Sequence, residues 1–235
     1  SIDMDAAARQ GVTVCGTDGD SRATSELAWG LILAVARAIP AEDARLRAGG
    51  WQRTIGAELQ GRTLGLVGLG RQGGAMVPVA RAFGMAVIAW SQRLTAERAA
   101  AAGVEAVGKE DLFRRADIVS IHYKLGPRSV GLVGAAELAL MKQDAFLINT
   151  SRGPIVDRAA LLAALHAGRI AGAGLDVYDT EPLPPDDPFR AAPRTVLTPH
   201  LGYVSDRAYR TFYGHAVEDI AGFLAGRPVR VLAAP

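Results

Sequence analysis

The sequence is poor in the features that would place it in several broad classes. Cys15 is its only cysteine, which excludes an internal disulfide and any cysteine-built metal site and fits a reducing compartment. Charge of one sign is nowhere concentrated: 26 Lys and Arg stand against 24 Asp and Glu, and no block of like charges occurs. A net charge of +2, even with a pI near 8.9, is not the electrostatic footprint of a nucleic-acid binder. A membrane-length apolar run is missing as well. The longest such stretch, Leu27 to Ile39, is interrupted by Arg37 and is too short to span a bilayer. The opening residues, Ser1-Ile2-Asp3-Met4-Asp5, carry acids and no base, unlike a secretory signal. A soluble cytoplasmic protein is the expectation.

What is present is an alternating rhythm. At 235 residues the chain can hold one large or two modest domains. Apolar runs of strand length fall at Thr63–Val67, Met85–Trp90, Val104–Val107, Asp117–His122, Ala145–Thr150, Gly172–Val177 and Thr195–Thr198. Helical stretches at Arg71–Phe83, Thr95–Ala102 and Asp157–Ala167 lie between them, with no hairpin signals. This pattern predicts an α/β fold, a doubly wound parallel sheet of Rossmann type. Outside the rhythm stand a long helix from Ser21 to Ile39, capped by Ser21 and stopped by Pro40, and a charged, glycine-containing segment from Ala41 to Gln60 that exposes Trp51. Pro182, Pro184, Pro185, Pro188 and Pro193 make the 181–193 segment a rigid irregular loop. Tyr203 to Leu224 reads as a last helix, ended by Gly226 and Pro228. Pro78 must remove one hydrogen bond from the helix that holds it.

Gly68-Leu69-Gly70-Arg71-Gln72-Gly73 is a G-x-G-x-x-G. Among 27 glycines such spacing can arise by accident, but here a strand ends at Val67 and a helix opens behind the motif. Gly68 permits the tight turn, Gly70 lets backbone approach a pyrophosphate, and Gly73 lets helix and strand pack closely. The second strand ends in Ser91, with Arg93 two residues on and no acid to bond a ribose. A hydroxyl and a guanidinium suit a 2′-phosphate, so NADP is slightly preferred over NAD; a purely solvated Arg93 is the alternative.

Three further groups fall at strand ends, the ligand-binding edge of such a sheet. Arg152, in Asn149-Thr150-Ser151-Arg152-Gly153, offers a fork of donors suited to a carboxylate. Glu181 follows the Gly172–Val177 strand, and His200 follows the last one in Thr198-Pro199-His200-Leu201-Gly202. An imidazole can protonate the alkoxide formed when hydride reaches a carbonyl carbon, and a carboxylate beside it stabilises the imidazolium. Singly, each has a bland reading as surface pair, loop solvation or packed core histidine. Together at successive strand ends, they point to an active site.

These motifs resemble the D-isomer-specific 2-hydroxyacid dehydrogenase family, and the likeness runs through nearly the whole chain. The resemblance implies that Arg152 binds a substrate carboxylate and that Glu181 pairs with His200, the acid/base. It implies cofactor contacts from Arg71 and Gln72 at the pyrophosphate, on the turn of Gly68, Gly70 and Gly73, from Ser91 at the adenosine ribose, and from Tyr123, Lys124 and Ser129 along the adenosine. Thr150 and Asp176 are implied near the nicotinamide, and Ser151 and Gly202 are expected among the cofactor contacts. Lys124 replaces a common proline and Tyr203 a small residue. The implied organisation is the end of a substrate domain at 1–16, a dinucleotide-binding domain at 17–203, and a helix at 204–235 returning to the substrate domain. Most of that substrate domain would precede Ser1, leaving apolar surface of the last helix uncovered. The 41–60 segment resembles a dimerisation arm with Trp51 as anchor, so a homodimer is implied. The substrate would be glyoxylate, hydroxypyruvate or a similar small 2-oxo acid. A cofactor-sensing interaction protein of the same fold is the alternative. No metal is expected; His122, His166 and His215 read as packing or surface residues.

Overall fold

The computed structural model describes residues 2–19 and 22–233, so Ser21, the expected helix cap, lies outside the described residues. In chain order the elements are α1 (Met4–Arg9), β1 (Val14–Cys15), α2 (Arg22–Ala36), α3 (Ile39–Arg47), β2 (Thr63–Val67), α4 (Arg71–Ala82), β3 (Ala86–Trp90) and α5 (Ala96–Ala101). They continue with β4 (Glu105–Ala106), α6 (Lys109–Arg115), β5 (Ile118–Ile121), α7 (Ala135–Leu140), β6 (Phe146–Asn149), α8 (Arg158–His166), β7 (Gly172–Leu175), β8 (Thr195–Leu197), α9 (Asp206–Leu224) and β9 (Val231–Ala233).

Two compact units emerge. The larger, Thr24–Gly202, holds a seven-stranded sheet in the order β4-β3-β2-β5-β6-β7-β8. Every pairing in it is parallel, as the alternating pattern predicts. The sheet is buried on both faces because consecutive strand residues feed opposite cores. Leu147 joins Phe113, Leu138, Leu161 and Leu165 on one side. Its neighbour Ile148 joins Leu31, Ile32, Met76 and Val77 on the other. Each such fully buried side chain contributes roughly 1.5–3 kcal/mol of transfer free energy. The order reverses between β2 and β5, which opens a crevice beyond their carboxyl ends.

One boundary differs from the sequence reading. The long helix ends at Ala36, and the break falls at Ala38, whose φ of 51° is left-handed. Pro40 then sits in the first turn of α3, where its missing N–H would have been unpaired anyway. Pro40 therefore opens a helix as well as following one, and the first part of the 41–60 segment is helical. Beyond it the chain is irregular, with Trp51 77% and Ile55 99% exposed. The proline loop is irregular as expected, broken only by a 3-10 turn at Pro188–Ala191. Pro78 lies inside α4, which runs on to Ala82.

The smaller unit takes residues up to Ala23 and from Tyr203 onward. β1 pairs antiparallel with β9 across almost the full sequence, and the backbone N–H of Asp18 donates to His215 Nδ1 at 3.1 Å. Ser205 caps α9 by accepting from the Ala208 N–H. That helix leaves Tyr213, Val217, Ile220, Phe223 and Leu224 exposed. Among the described residues no helix is long and apolar enough to cross a membrane, and no cluster of His, Cys, Asp and Glu is placed to hold a metal.

Candidate active site

The glycine-rich turn between β2 and α4 is shaped by close approach. Gly68 has φ +102°, and a Cβ there would clash with the carbonyl oxygen of His122. A Cβ on Gly73 would clash with the Gly68 carbonyl oxygen, so this glycine lets α4 sit down on the strand. Gly70 differs: nothing lies within 4 Å of where its Cβ would stand. The open face of Gly70, beside the free N–H groups of the first turn of α4, is a cradle that fits a pyrophosphate. Arg71 is exposed at that turn and Gln72 is half-buried.

Ser91, at the end of β3, accepts a hydrogen bond from the Leu69 N–H at 3.1 Å, so its hydroxyl faces the glycine turn. Arg93 is exposed two residues further on. Past β5, Tyr123 stacks on Trp90 with centroids 6.0 Å apart, and Lys124 is exposed. Ser129 turns inward: its hydroxyl accepts from the Gly126 N–H and lies 2.9 Å from the Lys124 carbonyl. His122 is buried with Ser120 Oγ 2.9 Å from its Nε2 and no partner for Nδ1. Burial pulls the His122 pKa down to about 4.

Past β6, the Thr150 hydroxyl is buried without a partner, and Ser151 Oγ donates to the Ile121 carbonyl. Asn149 organises the turn, accepting from the Ser151 N–H and donating to the Arg152 carbonyl. Arg152 itself is exposed, with one guanidinium nitrogen donating to the Ser151 carbonyl at 2.6 Å.

Asp176, just past β7, is fully buried. Its carboxylate accepts from Thr198 Oγ1 at 2.6 Å, Leu201 N at 2.7 Å and Gly202 N at 2.9 Å. The structure thus sets this side chain to holding the loop after β8, and Gly202 packs against it and Thr24. That loop carries His200 in a left-handed conformation, φ 57°, its N–H bonded to the carbonyls of Asp176 and Thr198. Histidine tolerates this region better than most side chains, but surrounding bonds must hold it there.

The structure brings Glu181 and His200 together: His200 Nδ1 lies 2.6 Å from Glu181 Oε2. The other oxygen of Glu181 accepts from the Tyr178 N–H at 2.9 Å. Burial pushes the Glu181 pKa up, but the His200 bond, the Tyr178 N–H and the charges of His200 and Arg152 outweigh it and hold the carboxyl below its ordinary value. The carboxylate therefore stays ionised into mildly acidic solution. Beside the pair opens a cavity of about 610 Å³ walled by Tyr178, Pro182, Leu183, Leu197 and Pro199, with Arg190 at its edge. Asn149 and the Tyr178 N–H bond residues two or three positions on, whereas the Tyr178 hydroxyl lies 3.1 Å from the Thr198 carbonyl, twenty residues away, which no spacing in the sequence points to.

A seven-stranded parallel sheet with a glycine cradle at its switch point defines a dinucleotide-binding α/β domain. The family model for the D-isomer specific 2-hydroxyacid dehydrogenase NAD binding domain matches residues 29–202. The chain is 40% identical to a glyoxylate reductase of Aeropyrum pernix over 97% of its own length and 71% of the relative's. It is 39% identical to a D-3-phosphoglycerate dehydrogenase of Bacillus subtilis, covering 97% of this chain but only 44% of that one. A crystal structure of a phosphoglycerate oxidoreductase from Vibrio cholerae superposes with a TM-score of 0.91 at 35% identity, covering 96% of this chain and 73% of that one. The chain belongs to the D-isomer specific 2-hydroxyacid dehydrogenase family, through its NAD-binding domain.

The buried imidazole of His122 makes a testable contribution to pH stability. Its pKa falls on folding, so between pH 6.5 and about 4 the unfolded chain takes up a proton that the native state refuses. The native state should lose up to about 3 kcal/mol over that window and no more from this group below it. Urea midpoints measured from pH 7 to 4 for the wild type and His122→Asn should diverge in slope. Parallel curves would contradict the assignment.

Proposed function

We propose that the chain is the cofactor-binding part of an oxidoreductase that converts a small 2-oxo acid to its 2-hydroxy acid and back. The observation that carries this reading is the 2.6 Å contact between His200 and Glu181, with the Arg152 guanidinium close enough for its charge to act on Glu181. When bound, the nicotinamide cofactor supplies the hydride, and takes it back in the reverse direction. Arg152 holds the substrate carboxylate, using the donors that its one bond to Ser151 leaves over. Protonated His200 bonds the keto oxygen through Nε2 and donates its proton to the oxygen as the carbonyl carbon is reduced. Glu181 fixes the ring through Nδ1, so that Nε2 is the nitrogen that faces the substrate, and it stabilises the charge between turnovers.

The cofactor is held by the Gly68–Gly73 turn, with Arg71 and Gln72 at the diphosphate and Ser91 at the adenosine ribose. Tyr123, Lys124 and Ser129 shape the adenosine side, while Thr150, Ser151, Asp176 and Gly202 shape the nicotinamide end. Asp176 acts there chiefly by fixing the loop, because its side chain is buried. The unpartnered Thr150 hydroxyl supports a polar occupant at that end. The exposed guanidinium of Arg93 and the absence of an acid at Ser91 favour NADPH over NADH.

Oxidation of NADPH with a panel of 2-oxo acids tests the activity. His200→Ala should lower kcat about 1,000-fold while leaving the cofactor Kd within about two-fold. Tight cofactor binding by the wild type without turnover of any 2-oxo acid would instead point to a sensor of the same fold. For the cofactor, Arg93→Ala should reduce the NADPH-over-NADH preference by about ten-fold, the value of one lost charge-assisted hydrogen bond. An unchanged preference would make Arg93 plain surface charge.

A further inference from the structure

We propose that Tyr178 is a positioning residue for the acid/base pair, acting through the Thr198 carbonyl and touching neither substrate nor cofactor. The inference rests on the reading of His200 as the proton donor. Tyr178 follows β7 and bonds to both loops of the pair. Its backbone N–H donates to Glu181 Oε1 at 2.9 Å. Its hydroxyl crosses to the next strand end, 3.1 Å from the Thr198 carbonyl and 3.2 Å from the Leu175 carbonyl.

The Thr198 carbonyl has a second donor, the backbone N–H of His200 at 3.1 Å. A continuous chain therefore runs from the phenol, through one carbonyl, to the backbone of His200. His200 is in the left-handed region and has no intrinsic preference for staying there. Its backbone N–H donates to the carbonyls of Asp176 and Thr198, and these bonds help to hold the backbone in that conformation. Asp176 secures the loop from the sheet side; Tyr178 secures it from the side of Glu181.

The phenol is suited to being a permanent donor. Burial, and then the Asp176 charge, push its pKa up to about 12, so it keeps its proton throughout the range in which an imidazole titrates. The ring itself packs against Phe189, with centroids 6.4 Å apart. A phenylalanine would supply the same packing, so the hydroxyl is the part of the side chain that packing does not require.

The test is Tyr178→Phe in the full-length protein. Expected are a fall in kcat of about ten-fold, KM and cofactor Kd within two-fold of wild type, and a larger solvent deuterium isotope effect on kcat as proton transfer becomes slower. The His200 amide should also exchange with solvent at least about ten-fold faster. Thr195→Val, which removes a comparable hydroxyl bond to the Ala192 carbonyl in β8, serves as control and should change none of these. A phenylalanine variant with wild-type kcat, isotope effect and amide exchange overturns the inference and leaves the proposed function standing. So does a variant that fails to fold, or one whose losses match those of Thr195→Val. A wild-type protein that turns over no 2-oxo acid overturns the proposed function, and this inference with it.

Discussion

The buried carboxylate of Asp176 is the constraint on which the site's geometry depends. Charged groups are kept inside proteins only when hydrogen bonds replace the water they have lost. Among the described residues, the donors to its side chain come from Thr198, Leu201 and Gly202, the residues that flank His200. The backbone of Asp176 does the same in both directions, donating to the Asn149 carbonyl and accepting from the His200 N–H. One residue thus couples the carboxyl ends of β6, β7 and β8. The solvation demand of one buried charge becomes a fixed position for an imidazole.

From that anchor the electrostatics follow. Glu181 is held ionised by His200, by the Tyr178 N–H and by the charge of Arg152, against the opposing effect of burial. About a third of each partner's side chain remains in contact with solvent, at 30% for His200 and 34% for Glu181. A carboxylate at that depth can orient the imidazole ring and still leave it open to solvent. A fully buried pair would carry a larger desolvation cost. His122 shows the contrast within the same sheet: it is buried without a carboxylate, and it is neutral at physiological pH.

The sheet and the glycine turn were legible in the sequence because both are local. Val67-Gly68 and Gly70-Arg71 mark a strand end and a helix start whatever surrounds them, and β-branched runs such as Ile118–Ile121 read as buried strands on their own. Pro40 was misread because the same residue that cannot continue one helix is a good first-turn residue of the next; the break is made by Ala38. The short helices Lys109–Arg115 and Ala135–Leu140 carry too few turns for periodicity to reveal them. The pairing of Val14–Cys15 with Val231–Ala233 joins segments at opposite ends of the sequence, which no local pattern encodes. Arg152, Glu181 and His200 were legible as residue types at strand ends. That Glu181 reaches His200 and that Tyr178 reaches Thr198 are facts of tertiary structure.

Under the proposed function, Arg152 and the Glu181–His200 pair share one small acid between them. A crystal structure of the full-length protein with cofactor and oxamate, an unreactive mimic of a 2-oxo acid, tests it most directly. The expected result is the inhibitor's carboxylate on the Arg152 guanidinium and its amide oxygen within hydrogen-bond distance of His200 Nε2, with the Glu181 contact preserved. An inhibitor bound away from Arg152, or a His200 ring turned from it, would contradict the account.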